Sequence, residues 1–467
     1  MTVTPSNVPV RMHRPGAGAG KLGGWPASLV LGLGVALVYL ANGREIGAFD
    51  TIPTTLLPLS ILRGDGLRLD RFTPLFFRVW GTPKPVFVTE SAGHLISSYP
   101  VGPALVALPL VASQVVAMDS ARPTWDRDPI RAFEENRRMG KCAAAVLSAL
   151  VAVALHRLLV GMGLSRVAFP TVLATSLGST LWSVASQALW QHGPAALFLT
   201  LTMLLLRLPP ISRRRLMTGG LTTALLVVVR AIDLIFALVV LAWVARVYWR
   251  QLPWFLAAPV VLGLMLVGSN LYYFGSLAGG QDQIERQHSR LHGVGGPWSG
   301  NVTEGMAGTL LSPSRGLFVF SPWVALAVAT APVAVKKIAK GSLAKWLVLA
   351  LVPYLFLLSK YAVWWAGGSF GPRYWTDALP LFGIMLACAL DWAWGRSRLL
   401  VSLFAVTILM SVAIHAIGAF CYPSTWNFYP TDIDLDHARL WDWRDTELSR
   451  CLKESLGGMV PMRVPGR

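Results

Sequence analysis

Asp50 is the residue of this chain whose position points most directly to chemistry. It lies just beyond the first long apolar segment, 25–42, and precedes an amphipathic stretch expected along the membrane interface. At a boundary between water and lipid, partial desolvation raises the pKa of a carboxyl group. A carboxylate with a raised pKa can take a proton from a hydroxyl group near neutral pH, which is the task of a general base. A helix-capping or solvated aspartate is the alternative interpretation.

A second group of polar residues lies in the segment KPVFVTESAGHLISSYP and comprises Lys84, Glu90, His94 and Tyr99. This segment leads directly into the apolar residues 100–118. A phosphate-bearing lipid needs a cation at the membrane rim and apolar surface beneath it, and the two segments offer both. The alternative is an ordinary surface loop.

Two interruptions of the apolar pattern carry further polar groups. His192 lies at a turn between two apolar segments, where the N-terminus of the following helix favours an anion. It is either a ligand contact or a hydrogen-bonded spacer. Arg230 and Asp233 interrupt a long apolar stretch. Ionisable groups at such depth are usually functional or paired, so a local Arg230–Asp233 ion pair and a ligand contact are both open.

Arg315 and Arg373 each precede an apolar segment and are flanked by Gly, Ser and Pro. The planar guanidinium binds phosphate through two parallel hydrogen bonds, which a lysine cannot do. Tyr374 follows Arg373, and Trp364 and Trp365 precede it. Such aromatic residues form either an interfacial belt or a platform on which a sugar stacks.

Several classes of site are excluded by the sequence. It contains no phosphate-binding P-loop. The four cysteines have no metal-ligand spacing, and no metal-binding residues are predicted. Cys421 and Cys451 lie at the two ends of one segment and can pair if that segment is outside the cell.

The elements that must position these residues are apolar helices. Of the 467 residues, 54% are hydrophobic and only 14% are charged. A helix of about 18 or more apolar residues spans a bilayer core and satisfies its own backbone there. The sequence therefore predicts an all-α polytopic membrane protein with about 11 transmembrane helices. The predicted spans are 25–42, 141–160, 168–186, 193–209, 217–230, 232–248, 253–274, 317–335, 345–361, 375–393 and 399–419.

The net charge of +18 predicts orientation rather than nucleic-acid binding, because the basic residues cluster in short loops between apolar segments. These loops share one side if 100–118 does not cross the membrane. Its prolines suit a broken interfacial helix. The amino end is then cytoplasmic, and the acids, histidines and tryptophans lie outside.

This topology divides the chain into three parts. Residues 1–24 are a disordered cytoplasmic leader, and 25–419 form the transmembrane module, in which 43–139 is a first outer loop with juxtamembrane helices. Residues 420–467 are an external C-terminal tail.

The chain contains the segments SAGHLISSYPVGPALVALPL, LWQHGPAALFL, LLSPSRGLFVFSP and GGSFGPRYWTDALP. These segments are similar to bacterial proteins of the GT-C superfamily of integral-membrane glycosyltransferases. An acidic loop after the first span, a Tyr-Pro motif on juxtamembrane helices and polar residues at the outer rim also resemble that superfamily. The resemblance covers most of residues 25–395.

The resemblance implies a GT-C-like bundle, a polyprenyl-phosphate-linked sugar donor and transfer at the periplasmic or external face. In such enzymes an acidic residue soon after the first span is the catalytic base or a metal ligand, and Asp50 matches that position. The chain departs from the paired Asp-Glu of several of these families, because Thr51 follows Asp50 and the nearest acid is Glu45. A divalent cation is an open alternative, and no other cofactor is implied.

Together these observations predict an inverting glycosyltransferase in the bacterial inner membrane, with Asp50 as the catalytic base. The donor or its phosphate would be bound by Lys84, Glu90, His94, Tyr99, His192, Arg230, Arg315, Arg373 and Tyr374. The other partners would be membrane lipid and an acceptor glycan, lipid or protein. A transporter or flippase of lipid-linked sugars and a non-catalytic envelope scaffold are the alternatives. The enzyme requires Asp50, His192 and one of the arginines to surround a single cavity.

Overall fold

The structure, a computed structural model, describes residues 24–455 except 120–127, 208–209, 292, 294 and 423. Helices form most of this described chain. The first ten α-helices are α1 Trp25–Leu40, α2 Thr51–Leu62, α3 Thr73–Trp80, α4 Gly102–Asp119, α5 Pro129–Gly161, α6 Ser165–Leu177, α7 His192–Leu206, α8 Arg213–Val229, α9 Leu234–Tyr248 and α10 Leu252–Phe274. The next ten are α11 Gly280–Leu291, α12 Val302–Leu311, α13 Leu317–Phe320, α14 Pro322–Ala329, α15 Ala331–Lys337, α16 Leu343–Leu349, α17 Leu351–Lys360, α18 Leu379–Trp394, α19 Arg398–Cys421 and α20 Glu447–Ser455.

Helical residues occupy every apolar segment that the sequence predicts to cross the membrane. Five stretches are long and apolar enough to do so by length and composition. These five are Pro129–Gly161, Ala231–Phe274, Leu343–Lys360, Arg373–Trp394 and Arg398–Cys421. The fold is therefore helical and fits a membrane protein, whereas a bundle of about 11 crossings stays a prediction.

The surface of the helices α10 and α19 is strongly apolar. Leu264 and Met265 on α10 are 68% and 65% exposed, and Leu409 on α19 is 67% exposed. Contiguous exposed apolar surface of this kind marks an interaction surface, and lipid tails are its natural partner for helices of this length.

The interior is built around α18, which packs against α6, α14, α15 and α19. Its residues are almost all buried, in contrast to those of α19. Gly383 permits the close approach of α6, because a Cβ atom there would lie 2.8 Å from the Thr175 hydroxyl. This close packing fixes the end of α18 that carries the candidate site.

The segment predicted as the first outer loop contains a small β-hairpin within an otherwise helical described chain. Strands β1 Val88–Ser91 and β2 His94–Ser97 pair antiparallel. The connecting residues Ala92 and Gly93 both have positive φ angles, 48° and 79°. Two-residue hairpin turns with this backbone match the twist of the flanking strands, so the segment folds into a hairpin rather than a helix.

The apolar segment 100–118 is one continuous helix, α4, and not the broken helix expected from its prolines. Pro103 lies in the first turn, where a backbone N–H has no helical partner in any case. Pro109 lies inside the helix and removes a single backbone hydrogen bond. The helix α4 packs against α2 and α5, and also against α8. These neighbours support it despite the second proline.

The described part of the C-terminal tail, 424–455, packs against the rest of the protein. Cys421 at the end of α19 forms a disulfide bond with Cys451 in α20. The Trp365 Nε1 atom donates a hydrogen bond to Asp434 at 2.6 Å. The predicted leader 1–24 lies outside the described residues except for Gly24.

Candidate functional site

The candidate site is centred on an ion pair between Asp50 and Arg373, which are 323 positions apart in the sequence. The Arg373 Nη1 atom donates to Asp50 Oδ2 at 3.0 Å. Asp50 immediately precedes α2, and Arg373 opens the 3₁₀ turn Arg373–Ala378 before α18. Both side chains are largely withdrawn from solvent, with exposures of 12% and 13%.

Three buried polar atoms around this pair have no hydrogen-bond partner among the described residues. They are Asp50 Oδ1, Arg373 Nε and His192 Nε2. Buried polar atoms in folded proteins are almost always hydrogen-bonded, and an exception needs an explanation. A polar ligand in this region could form hydrogen bonds with all three atoms, which are one carboxylate oxygen, one guanidinium nitrogen and one ring nitrogen.

The basicity of Asp50 results from two opposing effects. Burial raises the pKa of Asp50 above its ordinary value, and the positive charges of Arg373 and Arg230 act in the opposite direction. Burial is the larger effect. The raised pKa agrees with the expectation from sequence and suits a group that must accept a proton near neutral pH.

Arg373 is held in place by groups other than Asp50. Its Nη2 atom donates to the carbonyl oxygen of Ala366 at 2.9 Å. Its guanidinium lies 4.6 Å from the centre of the Trp190 ring and 5.6 Å from that of Tyr374. Guanidinium groups bind aromatic faces in this way. The side chain is therefore oriented before any ligand arrives.

A second cationic group, Arg230, also lies beside the Tyr374 ring. Arg230 is 5.6 Å from the Tyr374 ring and forms an ion pair with the fully buried Asp377. The Nδ1 atom of His192 lies 3.0 Å from Oδ1 of the same carboxylate. When this nitrogen carries the proton, it donates a hydrogen bond to Asp377. The hydroxyl of Tyr354 donates to Asp377 Oδ2 at 3.4 Å. Asp377 thus joins Arg230 and His192 into one buried network.

The local Arg230–Asp233 ion pair that the sequence left open is not formed. Arg230 has an extended backbone, with φ −151° and ψ 111°, at the end of α8. This conformation interrupts the helix that would have placed the two side chains on one face, and Arg230 pairs with Asp377 instead. Both carboxylate oxygens of Asp233 are buried without a hydrogen-bond partner in the described chain.

A small pocket of about 10 Å³, room for about one water molecule, lies beside Asp50. Its lining residues are Asp50, Thr54, Tyr99, Pro100, Pro103 and Gln191. Burial, and then the negative charge of Asp50, raise the pKa of Tyr99, so this phenol stays protonated. Pro103 belongs to the apolar helix α4, which therefore forms one wall of the pocket.

A second pocket, also of about 10 Å³, lies beside Arg373. Trp364, Trp365 and Trp375 line it together with Tyr374 and Arg373. The Trp375 Nε1 atom is buried without a hydrogen-bond partner among the described residues. Arg373 lines this second pocket and its ion-pair partner Asp50 lines the first, so the ion pair lies between the two. His192 lines neither, so these two pockets do not form the single cavity expected around Asp50, His192 and an arginine.

Arg315 lies near this second pocket but is fully engaged by the protein. Its guanidinium makes five hydrogen bonds, two of them to Glu447 Oε1 at 2.5 Å and Asn427 Oδ1 at 2.8 Å. The other three go to carbonyl oxygens of Ser314, Trp365 and Gly367. A guanidinium has five N–H donors, so Arg315 retains none for a phosphate.

Lys84, Glu90 and His94 lie on the β-hairpin side of the protein and pair with residues there. Lys84 forms an exposed ion pair with Glu90. His94 Nδ1 lies 2.9 Å from Asp70 Oδ2, and both side chains are about two-fifths exposed. No described contact joins these three residues to Asp50 or Arg373. Of the residues predicted to bind ligand, the structure brings together Tyr99, His192, Arg230, Arg373 and Tyr374.

The carboxylates of the described residues are not grouped as a metal site. Among the described residues no group of three or more His, Cys, Asp or Glu side chains is arranged to hold a metal ion. The nearest acid in sequence, Glu45, bonds to Arg137 instead, with Nε 2.9 Å from Oε2. Asp50 faces cations rather than a second acid. The donor set therefore does not fit a divalent cation between two carboxylates.

Sequence reasoning missed Asp377, the residue that joins the second cationic group. The signal was present, because an ionisable residue at the start of an apolar segment is rare and usually functional or paired. It also missed Glu447, whose partner Arg315 lies 132 residues away.

Comparisons of the chain with family models, curated proteins and solved structures find no match.

Proposed function

We propose that this protein is a membrane glycosyltransferase that moves a sugar from a polyprenyl-phosphate donor to an acceptor hydroxyl at the outer face of the membrane. The observation that carries the proposal is the buried Asp50–Arg373 pair, in which Asp50 Oδ1 and Arg373 Nε have no partner among the described residues. A base and a phosphate-binding cation side by side are the two groups that this reaction needs.

The two oxygens of Asp50 have different roles in this mechanism. Arg373 holds Oδ2, which orients the carboxylate. Oδ1 is left to accept the proton of the acceptor hydroxyl. As this proton leaves, the hydroxyl oxygen forms a bond to the anomeric carbon. The bond from that carbon to the phosphate oxygen breaks on the opposite face, and its electron pair leaves with the polyprenyl phosphate.

The developing phosphate charge is stabilised by positive groups that are already in place. Arg373 offers its Nε atom, which has no hydrogen-bond partner among the described residues, and Arg230 adds a second charge beside the Tyr374 ring. Preorganised donors of this kind contribute about 3–4 kcal/mol each where water is excluded. Arg315 is left out of this set because its donors are consumed within the protein.

The position of α4 supports a lipid-linked donor. Pro100 and Pro103 at its start line the pocket beside Asp50, and the helix continues as an apolar rod from that point. A prenyl chain packed along α4 would bring its phosphate to the pocket mouth. Each pocket has room for about one water molecule, far less than the roughly 300 Å³ of a small-ligand site. Side chains around the site would therefore have to move apart to admit a sugar phosphate.

The proposed sidedness, with the site on the periplasmic or external face of an inner membrane, has two supports. The basic residues lie in loops on the opposite side of the predicted topology. The disulfide bond between Cys421 and Cys451 suits an oxidising compartment.

The test is incubation of purified protein with a panel of polyprenyl-phosphate sugars and an assay for released polyprenyl phosphate. We expect release by the wild type and loss of release in Asp50→Asn. The matched control is Asp70→Asn, which changes an acid of the same loop that pairs with His94. No release from any donor by folded wild-type protein would refute the proposal. Movement of the intact donor across proteoliposomes would then favour a transporter.

A further inference from the structure

The tail residue Glu447 is fully buried, although it lies 70 residues beyond Asp377 in the sequence. Its Oε1 accepts from Arg315 Nη1 at 2.5 Å, and its Oε2 accepts from the backbone N–H of Gly371 at 3.1 Å. Glu447 begins α20, which the Cys421–Cys451 disulfide ties to α19. The tail therefore carries a buried carboxylate against the segment that leads to Arg373.

Arg315 extends this contact along the same segment. Its Nε atom donates to the carbonyl oxygen of Trp365 at 2.8 Å, and its Nη2 donates to that of Gly367 at 3.1 Å. Buried charge-assisted hydrogen bonds are about twice as strong as neutral ones. Together Glu447 and Arg315 fix the loop 365–371 at both of its ends.

The backbone of this loop needs such support. Ala366 has a φ of 65°, and Gly367 and Gly371 each have a φ of 60°. A non-glycine residue in the left-handed region costs about 1 kcal/mol or more and persists where its surroundings determine it. Ala366 has no side-chain polar group to stabilise this conformation, so the neighbouring contacts must do so.

The strained residue is also the one that orients Arg373. The carbonyl oxygen of Ala366 accepts from Arg373 Nη2 at 2.9 Å, while Nη1 holds Asp50. A change in the peptide at Ala366 would rotate the guanidinium and break its contact with the carboxylate. Hydrogen bonds at both ends of the loop 365–371, together with its backbone, thus link the tail to the centre of the site.

We propose that Glu447 is a positioning residue, which sets the orientation of Arg373 towards Asp50 through Gly371, Arg315 and the loop 365–371. The tail is accordingly a structural part of the site rather than a passive cap. The catalytic consequence of this role rests on the proposed transferase function, whereas the positioning itself is measurable without it.

Positioning is tested by titrating Asp50 in the purified full-length protein with infrared difference spectroscopy. The carboxyl band of Asp50 is identified by its loss in Asp50→Asn. The groups that face Asp50 are Arg373, Arg230, Tyr99 and Tyr374. The variant Arg373→Gln removes the positive charge next to Asp50 and should raise the titration midpoint of Asp50. This shift is the reference with which the other variants are compared.

We expect Glu447→Gln to raise the Asp50 midpoint by at least half of the shift in Arg373→Gln. The conservative Glu447→Asp should restore part of it. The matched control Arg450→Gln removes an ion pair with Asp445 in the same tail and should leave the midpoint unchanged. A wild-type midpoint in folded Glu447→Gln, or no shift in Arg373→Gln, overturns the proposal.

If Glu447→Gln does not fold, Arg315→Lys supplies the second test. Lysine keeps the charge but lacks the guanidinium group that donates to the carbonyl oxygens of both Trp365 and Gly367. The same rise in the Asp50 midpoint is expected. In a transfer assay Glu447→Gln should lower kcat by about tenfold to a hundredfold, the range for a misplaced catalytic group, with a smaller change in KM. Absence of transfer in the wild type contradicts the proposed function and leaves the infrared result to decide positioning.

Discussion

The contacts of Arg373 predict different losses of activity for Arg373→Lys and Arg373→Gln. Its guanidinium bonds Asp50 at 3.0 Å and the Ala366 carbonyl at 2.9 Å, lies 4.6 Å from the Trp190 ring, and keeps Nε open. A lysine keeps the charge but cannot make these contacts and also bind a phosphate. The loss of one hydrogen bond to a charged group is about 1.5–3 kcal/mol.

Since each 1.36 kcal/mol corresponds to about a tenfold change, Arg373→Lys should lower kcat/KM by roughly 10- to 100-fold. Arg373→Gln loses the charge as well and should lower it by about 1,000-fold, the upper end of the range for loss of a preorganised donor. The assay is the release of polyprenyl phosphate at donor concentrations below KM. Equal activities of the two variants would refute a role for the charge, and wild-type activity in both would refute the assignment of the site.

Three further predictions follow from the same geometry. The ionised form of Asp50 is the base, so kcat/KM should rise with pH as Asp50 loses its proton. Because burial raises the pKa of Asp50, the midpoint of this rise should lie above the ordinary pKa of 3.8. A kcat/KM that does not change with pH would contradict the base assignment. Asp377→Asn leaves Arg230 buried without a charge partner and should destabilise the protein by about 3–5 kcal/mol, measured as a loss of thermal stability relative to the exposed control Asp65→Asn. Lys84→Gln with His94→Gln should change stability by less than about 1 kcal/mol and leave the KM for donor unchanged, because both side chains are exposed; a large rise in KM would return them to the site.

The helices were predictable from the sequence because each long apolar segment must form hydrogen bonds within itself in lipid. The exceptions are local. Ala92 and Gly93 turn a short polar segment into a hairpin, and Pro109 is accommodated within α4. Both depend on neighbouring elements rather than on composition.

The clustering of Asp50, Arg373 and Arg230 was also predictable, because each of them interrupts or borders an apolar segment. Their partners were not predictable. Arg230 selects Asp377 over the nearby Asp233 because its backbone is extended. Arg315 was expected to bind a ligand, and its pairing with Glu447 depends on how the tail folds back, which no local pattern indicates.

The role of Asp50 as the base of a lipid-dependent transferase is tested most directly by the release of polyprenyl phosphate from polyprenyl-phosphate sugars by purified wild-type protein and Asp50→Asn. We expect release by the wild type and a reduction of about 100- to 10,000-fold in folded Asp50→Asn, the range for loss of a general base. Near-wild-type release by Asp50→Asn would contradict the role of Asp50. No release by folded wild-type protein from any donor would contradict the transferase itself.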